Sequence, residues 1–263
     1  MSDELSRHEV HCVSAGSEPL CRETRLIVRE APLTIEITDG GKYTLMCTPG
    51  NEMELAAGFA FAEGLINSCD DIGLLMRCPD NPNIIRMQLT DSRKAKENTR
   101  NTVIVSSCGN CGSEDIEKSI SQLPSVPDEL RIPNKDLTKA TEILRSQQRM
   151  FEQTGGTHAA GLIREGEILA IAEDIGRHNA LDKAIGSCLL RRIETKGMVA
   201  ALSGRISWEM VLKVARAGVE LIAAVSAPTT LAIEAAQRAN ITLCGFVRGD
   251  RATVYSHPHR IIR

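Results

Sequence analysis

The sequence predicts an α/β protein in which a smaller, mostly antiparallel α+β portion precedes a larger α/β layer. From Met198 to Phe246, short apolar runs alternate with amphipathic stretches in regular order, the pattern of strands joined by helical crossovers. From Arg25 to Thr48, apolar residues recur at every second position on both sides of the turn Asp39-Gly40-Gly41, the pattern of half-buried antiparallel strands. A length of 263 residues with 42% hydrophobic content is enough to bury a core in one large domain or two smaller ones.

The elements follow in order. Leu26 and Val28, then Leu33, Ile35 and Ile37, then Tyr43, Leu45 and Cys47 predict a small antiparallel meander. Over Asn51 to Ile66, residues Leu55, Ala56, Phe59 and Ala62 recur at helical spacing, so a buried helix is expected. Strands are expected at Ile72 to Arg77 and Ile84 to Leu89, separated by Pro79-Asp80-Asn81-Pro82, and the charged run Asp91 to Arg100 reads as an exposed loop. The run Thr102 to Val105 is strand-like. Lys135 to Gln153 has helical periodicity, and Ala159 to Ile163 and Ile168 to Ala172 read as strands around Glu165-Gly166-Glu167, before a helix at Asn179 to Arg192. Strands at Met198 to Ser203, Glu220 to Val225 and Ile241 to Phe246 then alternate with helices at Ser207 to Ala217 and Thr229 to Ala239. Short apolar strands in this arrangement imply a parallel sheet covered on both faces, with right-handed crossovers.

Composition excludes several classes. No apolar run reaches the eighteen or so residues of a membrane span, and Met1 to Val10 is charged rather than built like a signal peptide, so a cytoplasmic protein without a membrane partner is expected. A net charge of -3 and an aromatic content of 3% give neither the basic field nor the stacking platforms of a nucleic-acid binder. The nine cysteines are odd in number and scattered, so free thiols are expected rather than a disulfide framework.

Chemistry in α/β sheets gathers where strands end and loops meet, and four such places are unusual. They are Ser106 to Gly112 (SSCGNCG), Gly155 to Ala160 (GGTHAA), Glu173 to Asn179 (EDIGRHN) and Ser203-Gly204-Arg205. The pair Cys108 and Cys111 admits a metal clamp, a redox couple or a sulfur carrier. A structural zinc needs four ligands, and one C-x-x-C supplies two; no second C-x-x-C exists. A zinc deaminase requires H-x-E followed by P-C-x-x-C; here the order is reversed, Ser107 replaces the proline, and Ala160 stands where the glutamate belongs. No structural metal is therefore expected. A thioredoxin-like couple lacks its opening βαβ unit. A carrier needs an accessible, partly ionised thiol on a pliant loop; Gly109 and Gly112 supply backbone freedom, and a helix beginning near Ser113 favours a thiolate.

These blocks, together with GGTHAAG, EDIGRHNALDK, SGRISWEMVLKVARAGV and GFVRGDRATVYSHPHR in that order, resemble the formate dehydrogenase accessory sulfurtransferase family, FdhD. The resemblance runs from about Arg22 to near the end. It implies a cytidine-deaminase-like three-layer sandwich without deaminase zinc chemistry. The pattern along the chain changes near residue 107, which gives a flexible segment 1–21, a β-rich portion 22–107 with one buried helix, and an α/β domain 108–263 carrying the carrier loop and cofactor site. The resemblance implies a sulfurtransferase that takes persulfide sulfur from a cysteine desulfurase and passes it to the molybdenum or tungsten bis-pyranopterin guanine dinucleotide of formate dehydrogenase, the client. The catalytic residues would be Cys108, which holds the sulfur, and Cys111, its neighbour. Phe246, Val247, Arg248, Gly249, Asp250 and Arg251 match the family's cofactor-contacting segment. Homodimerisation is implied as well.

Such an acceptor is strongly anionic. The tail offers Arg248, Arg251, Arg260 and Arg263 against Asp250, a balance suited to diphosphate. Thr157 and His158 after two glycines, and Ser203 and Arg205 around Gly204, are further cofactor-binding candidates, because small residues let backbone amides approach phosphate. GDP or GMP should mimic part of the acceptor. The group Asp174, Arg177 and His178 reads equally as an active-loop device or as capping and salt bridging, and Trp208 as helix packing. A non-catalytic guanine-nucleotide or cofactor-binding chaperone is the alternative function.

Overall fold

The computed structural model describes residues 4–15, 20–91, 101–104, 120 and 123–263. An antiparallel ribbon comes first, β1 (Leu5–Cys12) with β2 (Cys21–Val28). Strands β3 (Ala31–Ile37) and β4 (Lys42–Cys47) then form a hairpin in which Leu33, Ile35, Tyr43 and Leu45 are buried, as period-two patterning requires. With β5 (Ile72–Arg77), β6 (Ile84–Leu89) and β7 (Asn101–Ile104) they make a mixed five-stranded sheet in the order β5-β6-β3-β4-β7. The expected meander is thus only half present. β2 turns away to pair with β1, and the central neighbour of β3 is β6, in parallel. Strand β1 also lies within residues 1–21, expected as a flexible segment.

Helix α1 (Glu52–Ala62) covers this sheet with Leu55, Ala56, Phe59 and Ala60. Its other side meets helix α4 (Arg177–Leu190) at near backbone contact. A Cβ on Gly58 would sit 1.9 Å from the carbonyl oxygen of Asp182, and one on Gly186 would sit 1.9 Å from that of Glu54. Only glycine at both positions permits so short an interhelical distance.

The second sheet has six strands, β9 (His158–Arg164), β10 (Glu167–Asp174), β11 (Val199–Leu202), β12 (Leu221–Ala224), β13 (Thr242–Arg248) and β14 (Arg251–Ser256), in the order β10-β9-β11-β12-β13-β14. Only β11, β12 and β13 run parallel; β9 and β10 form a hairpin through Glu165 and Gly166, both at positive φ, and β14 folds back on β13. The sheet is therefore mixed rather than parallel. Every residue of β11 and β12 is buried, because both faces are covered. Helices α4, α5 (Trp208–Arg216) and α6 (Thr230–Arg238) pack Leu181, Val211 and Ala235 against Leu202, Ile222 and Leu243, with Trp208 alongside. On the other face, α2 (Asn134–Ser146) packs Leu137, Ala140 and Leu144 against Val199, Ala201 and Leu221. The periodic stretch 135–153 is broken at Gln147 and Gln148, beyond which the short helix α3 (Arg149–Thr154) begins. A two-stranded bridge of β8 (Ile132–Pro133) with β15 (Ile261–Ile262) ties the end of the chain to the start of α2.

Two buried ion pairs hold the layers in register. Asp174, 0% exposed, accepts hydrogen bonds from Thr48 N–H (3.1 Å), Gly176 N–H (2.8 Å) and Asn179 Nδ2 (3.0 Å), and pairs with Lys183 Nζ at 2.8 Å. Lys183 also donates to the Thr48 carbonyl, so the pair fastens the end of β4 to the second sheet. Arg260 lies buried against Glu220 (3.3 Å) and donates to Thr242 Oγ1 and Pro127 O. This corrects the expectation for Arg260, which is an internal brace, whereas Arg248, Arg251 and Arg263 of the same tail are exposed.

Candidate functional site

Beside the β9 and β13 ends of the second sheet, α2, α3 and three loops enclose an open cavity of about 730 Å³, within the range of small-molecule sites. Its floor begins with α3, which ends at Gly155 in the left-handed region (φ 67). Gly156 follows, and Thr157 turns the chain into β9. Glu173 fixes this turn: its carboxylate accepts the α3 N–H groups of Met150 and Phe151, each at 2.8 Å, and the Thr157 hydroxyl at 2.7 Å. The Thr157 hydroxyl is therefore committed to the scaffold.

His158 opens β9 opposite Asp174. Burial, and then the nearby Arg177 guanidinium, hold its imidazole below the ordinary 6.5, so it faces the cavity neutral at pH 7. Ser203 at the end of β11 accepts the Ala159 N–H through Oγ (2.8 Å) and donates its own N–H to the Ala159 carbonyl (3.0 Å). The far wall is Val247, Arg248 and Gly249 at the β13–β14 turn. The Thr141 hydroxyl of α2 donates to Val247 O at 3.2 Å, and Arg248 Nε donates to Val225 O at 3.2 Å.

Of the candidate binding residues, Thr157, His158, Ser203, Val247, Arg248 and Gly249 line this one cavity. Phe246, Asp250, Arg251 and Arg205 do not. Phe246 has a positive φ of 50 and an exposed ring; Asp250 and Arg251 lie 4.0 Å apart with their side chains in solvent. Arg205 is exposed after Gly204, near enough to depress the His158 titration slightly. Arg145, Gln148 and Phe151 also line it, with Glu142 among the other residues of α2, and are not among the residues that the sequence singles out. Arg145 lies over the Phe151 ring at 5.1 Å. A charge on a periodic helix reads as a solvated face, so no local signal marks it.

The second candidate cluster separates. Asp174 belongs to the Lys183 pair, whereas His178 Nε2 lies 3.0 Å from Glu209 Oε2 and 3.2 Å from Ser207 Oγ. The His178 hydrogen bond keeps Glu209 below the usual carboxylate range. Arg177 Nε is buried with no hydrogen-bond partner among the described residues. Cys108 and Cys111, with Ser106 to Ser113 around them and the boundary at 107, lie outside the described residues, as do 92–100 of the charged run. Of the thiols described, Cys47 and Cys244 are pushed up to about 12, chiefly by burial, and burial also raises Cys188. These thiols stay protonated and enclosed at neutral pH.

The fold and cavity define a mixed α/β protein with an open pocket lined by two arginines, one glutamate (Glu142) and a neutral imidazole; the Gly155 and Gly156 N–H groups are taken up by Phe151 O and Thr154 Oγ1. The chain belongs to the FdhD/NarQ family, whose sequence model matches residues 28–262. It is 42% identical over 234 residues to the sulfur carrier protein FdhD of Sulfolobus acidocaldarius, covering 88% of this chain and 89% of that one. It is 36% identical over 269 residues to the protein of the same description from Mycolicibacterium paratuberculosis, covering 97% and 98%. The crystal structure of a proposed formate dehydrogenase accessory protein from Desulfotalea psychrophila shares the fold, with a TM-score of 0.78 at 24% identity over 98% of this chain and 100% of that one. No helix among the described residues is long and apolar enough to cross a membrane.

Proposed function

We propose that this protein is a sulfur carrier required for formate dehydrogenase activity, working through a persulfide on Cys108. The observation that carries this reading is the family membership together with full-length likeness to relatives described as sulfur carrier proteins. The cysteine chemistry supports it: of the described thiols Cys47, Cys188 and Cys244 are shut in and held protonated, Cys12, Cys21 and Cys69 are at least partly exposed, and of all nine only Cys108 and Cys111 stand in a C-x-x-C.

In the first step the Cys108 thiolate attacks the outer sulfur of a desulfurase persulfide, leaving the desulfurase thiolate and Cys108–S–SH. The bound sulfur is at the level of elemental sulfur, and delivery as sulfide needs two electrons. Cys111 supplies them. Its thiolate attacks Cys108 Sγ, a Cys108–Cys111 disulfide forms, and hydrosulfide leaves toward the acceptor; a cellular dithiol reductant then reopens the disulfide. The acceptor is the molybdenum or tungsten bis-pyranopterin guanine dinucleotide, a substrate of the carrier rather than its resident cofactor. The cavity supports this choice: Arg145 and Arg248 outnumber the one lining acid, Glu142, and can face a diphosphate, and neutral His158 can donate one hydrogen bond. Phe246 and Arg251 are exposed in the segment that flanks the lining residues Val247 to Gly249, and the rest of so large a ligand is proposed to reach them. A homodimer in the cytoplasm, with a desulfurase as donor and formate dehydrogenase as client, completes the reading, and helices on both faces of the six-stranded sheet agree with a deaminase-like sandwich.

The test is complementation. In a strain lacking the native protein, Cys108→Ser should leave formate dehydrogenase inactive while the wild type restores it. Full activity with Cys108→Ser and loss only on altering the cavity would instead favour a non-catalytic cofactor chaperone.

A further inference from the structure

The β1–β2 ribbon lies largely outside the family match, which begins at residue 28. Its sixteen residues bury no side chain, so it lacks the apolar face that a two-stranded ribbon needs for stability. At its far end the register sets Cys12 directly opposite Cys21. Arg29 N–H donates to Glu4 O, which makes every second pair from there, Cys12 with Cys21 included, a closely hydrogen-bonded one. Glu23, two residues along β2, projects on the same side, and the two thiol sulfurs and one Glu23 oxygen all lie within 4.8 Å of one another.

The carboxylate is held in place. Arg25 donates to Glu23 Oε2 through both Nε (3.0 Å) and Nη2 (2.9 Å), while Glu23 Oε1 turns to Cys21 Sγ at 3.7 Å. One oxygen is anchored and the other aimed at the thiols, the outer-shell arrangement that orients metal ligands.

We propose that Cys12, Cys21 and Glu23 form a site for one thiophilic divalent cation of the zinc class, with solvent or a fourth donor completing a tetrahedron. With metal–sulfur bonds of about 2.3 Å, tetrahedral ligand atoms stand roughly 3.8 Å apart, so the observed cluster needs only about 1 Å of closure. Binding expels the two thiol protons and leaves two thiolates and one carboxylate around a divalent ion, a net charge of minus one that Arg25 neutralises. A disulfide between the same cysteines has no use for the anchored carboxylate. The ion would clamp the loop end of a ribbon whose root, Val28, abuts Gly156 of the cavity wall. The expectation of no metal rests on the single C-x-x-C pair and leaves Cys12 and Cys21 out of account.

The full-length protein carrying Cys108→Ser and Cys111→Ser, reduced and freed of metal, isolates the question from the C-x-x-C pair. Titrated with Co2+, it should take up one equivalent with a thiolate-to-cobalt charge-transfer band and tetrahedral visible bands, and Zn2+ should displace the cobalt. Further replacement of Cys12→Ser or Cys21→Ser should abolish the band. Arg25→Gln should weaken Zn2+ binding about tenfold, the effect expected of an outer-shell partner. These positions are at the surface, so circular dichroism should confirm an unchanged fold. No uptake by the reduced parent, an unchanged band after both cysteines are replaced, or isolation under thiol trapping with a Cys12–Cys21 disulfide and no metal would each overturn the site.

Discussion

Arg260 and Arg248 stand twelve positions apart in one stretch of chain and serve opposite ends. Arg260 is 0% exposed and spends its guanidinium on Glu220, Thr242 and Pro127. Arg248 reaches the cavity and makes one bond to a backbone carbonyl. The same contrast separates Asp174, closed into the Lys183 pair, from the solvated Asp250. Charge near a site is thus of two kinds, one that positions strands and one that is left for a ligand. Mutation distinguishes them, because removing half of a buried pair strands its partner, whereas removing a solvated charge barely touches folding.

The largest effect should come from the braces. Arg260→Ala leaves Glu220 buried without its counter-ion, held only by the Glu129 and Leu130 N–H groups, and urea unfolding should show a loss of about 3–5 kcal/mol; a loss under about 1 kcal/mol would mean that Arg260 is not the brace described. Gly186→Ala comes next. Its Cβ would meet the Glu54 carbonyl at 1.9 Å, and forcing α1 and α4 apart should cost about 1–3 kcal/mol, read as a lowered urea midpoint.

At the cavity the ranking reverses. Arg248→Ala should change stability by less than about 1 kcal/mol yet weaken GDP binding roughly tenfold or more, because a charged hydrogen bond contributes about 1.5–3 kcal/mol. Arg251→Ala, outside the lining, should weaken it less; calorimetric titration of both variants checks the order.

The smallest effect concerns pH. The folded-state pKa of His158 lies below its ordinary 6.5, so the unfolded chain takes up this proton first as pH falls. Stability is lost from about 6.5 downward until the lowered folded value is passed. His158→Gln should flatten that part of the stability curve, and an unchanged slope would place the acid sensitivity elsewhere.

Much of the second sheet was legible because its signals are local. Thr229 caps α6 through Ala232 N–H, Gly218 ends the α5 turn at φ 69, and Leu221 to Ala224 is apolar throughout because both faces are covered. What lay beyond the sequence depends on distant partners. Nothing near Arg260 announces Glu220, forty residues earlier. The polar strand Leu5–Cys12 carries no core pattern, and the direction of β9 beside β11 is set by its hairpin with β10, not by its composition. In the cavity, Thr157, His158 and Ser203 were found through their glycine neighbours, whereas Arg145 came into view only when α2 was laid across β13.

The central claim is that Cys108 bears the sulfur, and intact-protein mass spectrometry after incubation with a cysteine desulfurase and cysteine tests it most directly. Wild type and Cys111→Ser should gain the mass of one sulfur atom, removable by reductant, with the sulfur retained longer on Cys111→Ser because its release by disulfide formation is blocked. Cys108→Ser should gain none. A reductant-labile sulfur on Cys108→Ser equal in yield to wild type would contradict the account.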